Sequence, residues 1–375
     1  MPAQAADHRQ YMAMALELAR QGLGRTWPNP MVGAVVVRDG EIVGSGYHHG
    51  PGLPHAEAEA LARAGERARG ATLYVNLEPC SHTGKRTPPC TGAIIAAGIV
   101  RVVSAMDDPN PKVDGDGHRA LARAGIAVIT NVMEKEANQL NEVYGKYMAT
   151  GLPFCTLKLA MSLDGRIALA GGASRGLSGD ESLKLVHALR LEHEAIMVGA
   201  GTLIADDPEL TVRLVDNPDK KQPTRFILDG RLSVPPTAKV FDQSVAKTVV
   251  VTTAAADPAR KTELERREIE VWTAKGDERA RIDLADLLRT MGLHEYVNVL
   301  VEGGSRVAAS FLAAGLVDKA AFLYSPRLIG GDGVPAVAAL GIGDLGKTLG
   351  LRDLQARRVG DDLLVEGYLP RQGGD

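Results

Sequence analysis

His55-Ala56-Glu57 is followed along this 375-residue chain by Pro79-Cys80 and then by Pro88-Pro89-Cys90. Within these stretches, His55, Cys80 and Cys90 are three potential zinc ligands, and a glutamate accompanies them. Structural zinc usually has four protein ligands, whereas a catalytic zinc keeps its fourth position for water. The set therefore predicts a catalytic zinc that activates water, with Glu57 transferring the proton.

The spacing also predicts where helices begin. In a regular helix, His55 and Glu57 would point about 200° apart, so both can face one metal only at the helix start, where Pro54 fixes the approach of the chain. Cys90 follows two prolines and is expected at a helix start too. A thiolate is stabilised there by the helix dipole.

Strands and helices alternate along the chain, which predicts an α/β fold. A helix expected over about 132–148 ends before Gly151 and Pro153, so we place a boundary there and expect domains at 1–149 and 150–375, the first with a largely parallel sheet. Asp39-Gly40 predicts a hairpin turn. The expected strands are 32–37, 41–46, 71–77, 100–105 and 126–130, then 154–160, 194–198, 224–228, 248–252, 297–301 and 320–324.

Composition favours a protein that acts on small molecules. The net charge of −3 would not attract a polyanion, and the 4% aromatic content offers few surfaces on which bases could stack. The polar first ten residues and the lack of a long apolar run predict neither a signal peptide nor a membrane span. Three cysteines are too few for a disulfide framework. We expect a cytoplasmic protein that binds neither nucleic acid nor membranes.

His-x-Glu followed by Pro-Cys is typical of zinc deaminases, in which the glutamate is an acid and base and not a ligand. The cysteines here are spaced Cys-x9-Cys rather than Cys-x2-Cys, which points to a particular branch. Together with Pro28-Asn29-Pro30-Met31-Val32-Gly33 and Gly46-Tyr47-His48-His49, these motifs closely resemble the deaminase half of the bifunctional riboflavin biosynthesis enzymes. Those enzymes combine a diaminohydroxyphosphoribosylaminopyrimidine deaminase with a 5-amino-6-(5-phosphoribosylamino)uracil reductase.

The resemblance implies a cytidine-deaminase-like three-layer α/β/α domain that binds Zn²⁺. It implies pyrimidine contacts at Asn29, His48 and His82, and a basic residue that holds the substrate phosphate. The loop Gly84-Lys85-Arg86-Thr87 is one residue longer than the family pattern, so either Lys85 or Arg86 could be that contact.

The second half carries motifs of the reductase: Lys158 to Gly165, Val198 to Thr202, Asp206 to Arg213 and Val299 to Ser305. Glycines before a helix allow close backbone approach, and the helix N-terminus can bind a dinucleotide phosphate. The resemblance implies a dihydrofolate-reductase-like α/β domain. The implied NADPH contacts are Ala160, Thr202, Asp206, Gly304, Ser305, Arg306, Val307, Ala308, Ala309 and Ser310. The implied substrate contacts are Ser174, Arg190, Leu210, Arg213 and Glu302.

The chain departs from the reductase pattern at two places. Gly176-Leu177-Ser178-Gly179 stands where the family has tryptophan, isoleucine, threonine and glycine, so an aromatic contact to the cofactor would be lost. Glu194 replaces an aspartate but keeps the carboxylate. Lys158 is expected to have a local electrostatic role only, and a surface or structural role is nearly as compatible with its position.

The function implied is a two-step conversion of phosphoribosyl pyrimidine substrates by a homo-oligomer. A zinc-dependent hydrolytic deamination would precede an NADPH-dependent reduction of the ribosyl to the ribityl side chain. One alternative is a zinc deaminase of another base or nucleoside with a non-reducing C-terminal domain. Another is a non-catalytic, metal-stabilised assembly protein, which would need a fourth ligand such as His82 or His48.

Overall fold

The computed structural model describes residues 2–81, 89–111, 113, 115–172 and 176–370, with side chains from residue 8 onward. Two compact units divide the chain, Met1–Gly151 and Leu152–Asp375. No described helix combines the length and apolar character that a bilayer crossing needs.

The first unit is built on a five-stranded mixed sheet of order β2-β1-β3-β4-β5. β1 is antiparallel to both β2 and β3, whereas β3, β4 and β5 are parallel. The expectation of a largely parallel sheet was therefore wrong here, because the hairpin at Asp39-Gly40 reverses the chain between β1 and β2. Its elements are α1 (Pro2–Arg20), β1 (Gly33–Arg38), β2 (Glu41–Tyr47), α2 (Ala56–Ala64), β3 (Thr72–Val75), α3 (Cys90–Ala96), β4 (Arg101–Ser104), α4 (Asp116–Arg123), β5 (Ala127–Ile129), α5 (Glu134–Leu140) and α6 (Glu142–Thr150).

Two glycines show that helices cover both faces of this sheet. A Cβ on Gly33 would lie 2.1 Å from the Ala15 carbonyl oxygen of α1, and one on Gly46 would lie 2.9 Å from the Ala56 carbonyl oxygen of α2. Gly46 pairs with Ala34, the neighbour of Gly33, so the two glycines face opposite sides of the sheet. Only glycine permits such close helix approach, and the outcome is three layers, α/β/α.

The single helix expected over 132–148 is two helices. α5 ends at Leu140 and α6 begins at Glu142, with Asn141 between them at φ −104° and ψ 24°. The side chain of Asn141 is 1% exposed and hydrogen-bonds to a distant part of the chain. The break follows from that tertiary contact, which the local pattern does not reveal.

The second unit carries a nine-stranded sheet of order β11-β10-β9-β8-β12-β6-β13-β16-β15. The strands from β11 to β13 are parallel, and a C-terminal hairpin adds β16 and β15 antiparallel. Its elements are β6 (Phe154–Ser162), β7 (Arg166–Ala168), α7 (Asp180–Glu192), β8 (Ala195–Gly199), α8 (Ala200–Asp206), β9 (Thr224–Leu228), β10 (Thr248–Thr252), α9 (Pro258–Arg266), β11 (Glu270–Thr273), α10 (Leu284–Leu293), β12 (Asn298–Val301), α11 (Ser305–Ala313), β13 (Lys319–Ser325), β14 (Val334–Pro335), β15 (Arg352–Val359) and β16 (Asp362–Tyr368). β7 and β14 form a separate pair.

Hydrophobic cores lie on both faces of this sheet. Along β8, Ala195 and Met197 belong to one cluster of buried side chains, whereas Ile196 and Val198 belong to another. Alternate residues of a strand point to opposite faces, so both faces are covered. Burying each large apolar side chain stabilises the fold by about 1.5–3 kcal/mol, and the sheet is thereby a rigid support for the loops at its ends.

Candidate functional site

Three predicted zinc ligands meet in the first unit. Nδ1 of His55 lies 3.2 Å from Sγ of Cys90 and 3.6 Å from Sγ of Cys80, and the three donor atoms lie within 4.8 Å of one another. His55 precedes the first residue of α2 with extended backbone, and Cys90 is the first residue of α3 after Pro89. Both expected helix starts are confirmed. One imidazole and two thiols at this spacing fit a zinc ion.

The two thiols are electrostatically unequal. The hydrogen bond from Cys90 lowers the pKa of the Cys80 thiol to about 4, and that same bond, with burial, raises the pKa of Cys90 well above its ordinary range. These opposite shifts favour a thiolate at Cys80 and a protonated thiol at Cys90. A divalent cation would displace the proton of Cys90, because metal binding requires both thiols as thiolates.

Glu57 lies beside this cluster on the first turn of α2 and is 3% exposed. Burial raises the pKa of its carboxyl group, and the neighbouring charge of Cys80 raises it further. A buried carboxyl group with a raised pKa can accept and return a proton near neutral pH.

Asn29 and His48, two predicted pyrimidine contacts, lie together next to the ligands. Nδ1 of His48 donates to the Pro54 carbonyl oxygen at 3.1 Å, so Nε2 is the acceptor, and Nδ2 of Asn29 donates to it at 3.0 Å. Burial lowers the pKa of His48, which keeps the ring neutral. The rings of His48 and His55 are 5.5 Å apart.

His48 is therefore not a fourth zinc ligand, because both of its ring nitrogens are engaged. That removes one of the two ligands on which the alternative of a closed structural site depended. The other, His82, lies outside the described residues, as do the two candidate phosphate contacts Lys85 and Arg86.

Glu78 is a site residue that the sequence reasoning missed. It is 2% exposed, and its carboxylate accepts the backbone N–H groups of Gly117 at 2.8 Å and His118 at 3.4 Å. These bonds tie the turn that presents Cys80 to the start of α4. Glu78, Asp107 and His118 also place donor atoms within 4.8 Å of one another, but these groups already bond within the protein, including His118 to Asp107 at 3.3 Å. A glutamate directly before Pro-Cys, at the end of a buried strand, was the available signal.

The predicted cofactor residues of the second unit gather at one edge of the large sheet. β6, β8 and β12 are parallel neighbours, so their carboxyl ends share an edge. Ala160 lies near the end of β6, Thr202 lies in α8, which follows β8, and Gly304 follows β12. A Cβ on Gly304 would lie 3.3 Å from Oγ1 of Thr202. Asp206 ends α8, one turn beyond Thr202.

The start of α11 fits a dinucleotide phosphate. A Cβ on Gly303 would lie 2.5 Å from Cβ of Val307, so glycine is required for the chain to turn into the helix. Oγ of Ser305, the first helical residue, is buried and has no hydrogen-bond partner among the described residues. An anion at the helix N-terminus would satisfy this hydroxyl and the first helical N–H groups.

The later residues of α11 face the protein interior or bond within the helix, unlike the residues at its start. Ala308 and Ala309 are buried in the protein, at 0% and 7% exposure. Ser310 donates its hydroxyl to the carbonyl oxygen of Arg306 at 2.9 Å. Of the predicted run from Gly304 to Ser310, the first residues are therefore the best placed to contact a cofactor.

Arg190 and Glu302, two predicted substrate contacts, form a buried ion pair. Nε and Nη2 of Arg190 donate to the two carboxylate oxygens at 2.6 and 3.0 Å, and Nζ of Lys158 lies 3.5 Å from Oε2. Although burial opposes ionisation, the two positive charges lower the pKa of Glu302 to about 2. Burial lowers the pKa of Lys158. Lys158 thus joins the candidate site through a direct contact.

The segment that carries Leu210 and Arg213 is held against this ion pair. Nη1 of Arg190 donates to the Thr211 carbonyl oxygen at 3.0 Å, and the backbone N–H of Arg213 donates to Nδ1 of His187 at 2.9 Å. Leu210 is buried, with a left-handed backbone at φ 54°. Four of the five predicted substrate residues therefore lie in one region, and the fifth, Ser174, is outside the described residues.

The two departures from the family pattern have different structural settings. Gly176 has φ +80°, and no atom of the described residues lies within 4 Å of a Cβ built there, so a tryptophan would meet none of them but would have a strained backbone. Glu194 accepts the backbone N–H of Val297 at 2.9 Å, which joins the starts of β8 and β12. The retained carboxylate at Glu194 therefore has a defined structural partner.

Both units match known families. A family model described as the cytidine and deoxycytidylate deaminase zinc-binding region matches residues 5–106, and one described as the RibD C-terminal domain matches residues 153–365. The chain is 45% identical to riboflavin biosynthesis protein RibD of Aquifex aeolicus, over 95% of this chain and 97% of that protein. It is 41% identical to the Escherichia coli protein of the same name, with the same coverage.

Solved structures agree over nearly the whole length. Acinetobacter baumannii RibD superposes with a TM-score of 0.87 at 36% identity, covering 98% of this chain and 100% of that one. A Thermotoga maritima diaminohydroxyphosphoribosylaminopyrimidine deaminase/5-amino-6-(5-phosphoribosylamino)uracil reductase gives a TM-score of 0.83 at 36% identity, with equal coverage. With a cytidine-deaminase-like unit followed by a reductase unit, this chain belongs to the RibD family of riboflavin biosynthesis proteins.

Proposed function

We propose that residues 1–149 deaminate a diamino phosphoribosylaminopyrimidine and that residues 150–375 reduce the product. The chain is a bifunctional enzyme of riboflavin biosynthesis that uses Zn²⁺ and NADPH. One observation carries the first activity: His55, Cys80 and Cys90 place their donor atoms within 4.8 Å of one another, and the buried carboxyl group of Glu57 interacts electrostatically with Cys80 and His55. Three protein ligands leave a coordination position open.

In the deaminase unit, zinc held by His55, Cys80 and Cys90 supplies the Lewis acidity that makes water a nucleophile at neutral pH. Glu57 accepts a proton from the attacking water and gives it to the ring nitrogen. It then takes the proton of the newly formed hydroxyl and gives it to the amine, which leaves as ammonia. Asn29 donates to Nε2 of His48 and keeps its own carbonyl oxygen for the pyrimidine. We assign the phosphate to Lys85 or Arg86, and a further base contact to His82, from the family resemblance.

In the reductase unit, NADPH supplies hydride to the ribosyl carbon. Ser305 and the N-terminal N–H groups of α11 suit a cofactor phosphate, with Ala160, Thr202 and Asp206 along the same sheet edge. Arg190 aligns Glu302 and the Thr211 segment, so the substrate region is ordered in advance. Lys158, whose pKa is lowered by burial, lies beside Glu302 and can donate the proton that the ribosyl oxygen takes up when its carbon accepts hydride.

A coupled assay tests this assignment. Purified, zinc-loaded protein is given the diaminopyrimidine substrate, and ammonia and NADPH are recorded in parallel. Ammonia release coupled to NADPH loss, both abolished in Glu57→Ala, is expected. Giving Glu57→Ala the deaminated intermediate should restore NADPH oxidation. Ammonia without NADPH loss in the wild type would contradict the reductase assignment.

We also propose a homo-oligomer in the cytoplasm. The three cysteines are free thiols, and a thiol-ligated zinc site is best maintained in a reducing compartment. Analytical ultracentrifugation of the zinc-loaded protein tests the oligomeric state, and a monomer at assay concentration would contradict it.

A further inference from the structure

Two buried asparagines, Asn76 and Asn141, hydrogen-bond to the backbone of the segment of residues 31–33, which follows Asn29 and Pro30. Oδ1 of Asn141 accepts the N–H of Met31 at 2.8 Å, while its Nδ2 donates to the carbonyl oxygen of Met31 at 3.0 Å. Nδ2 of Asn76 donates to that same carbonyl oxygen at 3.0 Å, and its Oδ1 accepts the N–H of Gly33 at 2.8 Å. Asn76 and Asn141 are 0% and 1% exposed. Four hydrogen bonds therefore hold a three-residue segment.

Two of the three candidate pyrimidine contacts, Asn29 and His48, are attached to this segment. Asn29 is joined to Met31 through Pro30, whose ring fixes φ and restricts the residue before it, so little rotation is left between them. The backbone N–H of His48 donates to the Val32 carbonyl oxygen at 2.8 Å, in the middle of the segment. Any shift of Met31 would thus be passed to Asn29 and His48 together.

The metal ligands are held by other elements. His55 precedes α2, Cys90 starts α3, and Cys80 follows the turn anchored by Glu78. His55 and Cys90 therefore do not depend on the asparagine bonds, and Cys80 lies four residues beyond Asn76, past the anchor at Glu78. The two asparagines instead set where the Asn29–His48 pair stands relative to the ligands.

Building on the proposed deaminase function, we infer that Asn76 and Asn141 are positioning residues for pyrimidine binding. Through Met31 they hold Asn29 and His48 in register with the metal ligands. Each of these buried side-chain amides both donates and accepts hydrogen bonds. Truncating one to alanine therefore costs more than a single bond, because the backbone groups that it paired are left unpaired. Displacing a binding group by about 1 Å can cost about 100-fold in kcat/KM.

The test compares Asn141→Ala and Asn76→Ala with the wild type. Each variant should raise KM for ammonia release about tenfold or more, with kcat within about threefold, because the lost interaction is binding and not chemistry. Zinc per chain should be unchanged, as should NADPH oxidation with the deaminated intermediate. Tyr74→Phe is the matched control, because Tyr74 lies two residues before Asn76 in the sequence. The substitution deletes a buried hydroxyl that lies 2.9 Å from Nδ1 of His8, and it should leave KM unchanged.

The outcomes separate the inference from the function on which it rests. A wild type that releases no ammonia would defeat the deaminase assignment itself. A fully active wild type with unchanged KM in both asparagine variants would overturn the inference alone. Loss of zinc together with a large fall in kcat in the asparagine variants would also overturn the inference, because the asparagines would then be needed for the fold of the whole unit.

Discussion

Nδ1 of His55 lies 3.2 Å from Sγ of Cys90, although the two residues are 35 positions apart and start different helices. Each is fixed by a backbone that turns into a helix directly at the site. Such ligands lose little conformational freedom when a metal binds, so the site is organised before the ion arrives.

This geometry predicts the effect of losing a ligand. Cys90→Ser should lower zinc binding to well below one ion per chain and abolish ammonia release, because a neutral hydroxyl replaces a thiolate. Metal analysis and the ammonia assay measure both. NADPH oxidation with the deaminated intermediate should continue, and retention of full zinc in Cys90→Ser would contradict the ligand assignment. Chelation of the wild type should reproduce the same pattern.

Arg190 should matter for the reductase step beyond its charge. Arg190→Lys keeps a positive charge but loses the paired hydrogen bonds to Glu302 and the bond to the Thr211 carbonyl oxygen. We expect kcat/KM for NADPH-dependent reduction to fall about 10- to 100-fold, since removing bonds of this type costs about 1.5–3 kcal/mol. Ammonia release is the internal control. An unchanged kcat/KM would show that the charge alone suffices.

The hydroxyl of Ser305 should contact the cofactor. Ser305→Ala should raise KM for NADPH about tenfold, as one charge-assisted hydrogen bond to phosphate is lost. It should not lower the free energy of unfolding, because the deleted hydroxyl has no partner among the described residues. Ser182→Ala removes another buried hydroxyl of that kind, on α7, and serves as the matched control. Equal KM values for NADPH in Ser305→Ala and the wild type would remove Ser305 from the cofactor site.

The lowered pKa of His187 should make the stability of the protein depend on pH. Burial, and then the charges of Arg190 and Arg213, lower its pKa to about 4 from an ordinary 6.5. Between these values the unfolded chain binds the proton and the folded chain does not. The stability contributed by neutral His187 is therefore complete above pH 6.5 and is lost as the pH falls toward 4.

His187→Asn offers an acceptor to the Arg213 N–H and cannot titrate. From pH 7 to pH 5 the urea midpoint of the wild type should fall further than that of His187→Asn. Parallel decreases in the two proteins would show that His187 does not carry this effect.

The sequence identified the parts of the site that are local. His55, Glu57 and Cys90 are marked by helix-start chemistry, and the alternation of apolar strands predicted most of the parallel strands of the second unit. The C-terminal hairpin of β15 and β16 was missed. β15 is exposed along nearly its whole length and shows no buried face, whereas β16 does have buried residues.

The long-range polar contacts could not be predicted from the sequence. Asn141 bonds to Met31 across 110 positions, and Arg190 bonds to Glu302 across 112. The local sequence around each residue does not indicate its distant partner. The break between α5 and α6 was missed for that reason, and so was the grip of Asn76 on Gly33.

In the proposed function, one chain performs deamination and then reduction, and Glu57 moves the proton in the first step. Parallel recording of ammonia and NADPH during turnover of the diaminopyrimidine, for the zinc-loaded wild type and Glu57→Ala, tests it most directly. Coupled ammonia release and NADPH loss are expected in the wild type. Both should drop about 100-fold or more in Glu57→Ala with zinc retained. Undiminished ammonia release by Glu57→Ala, or none from the wild type, would contradict it.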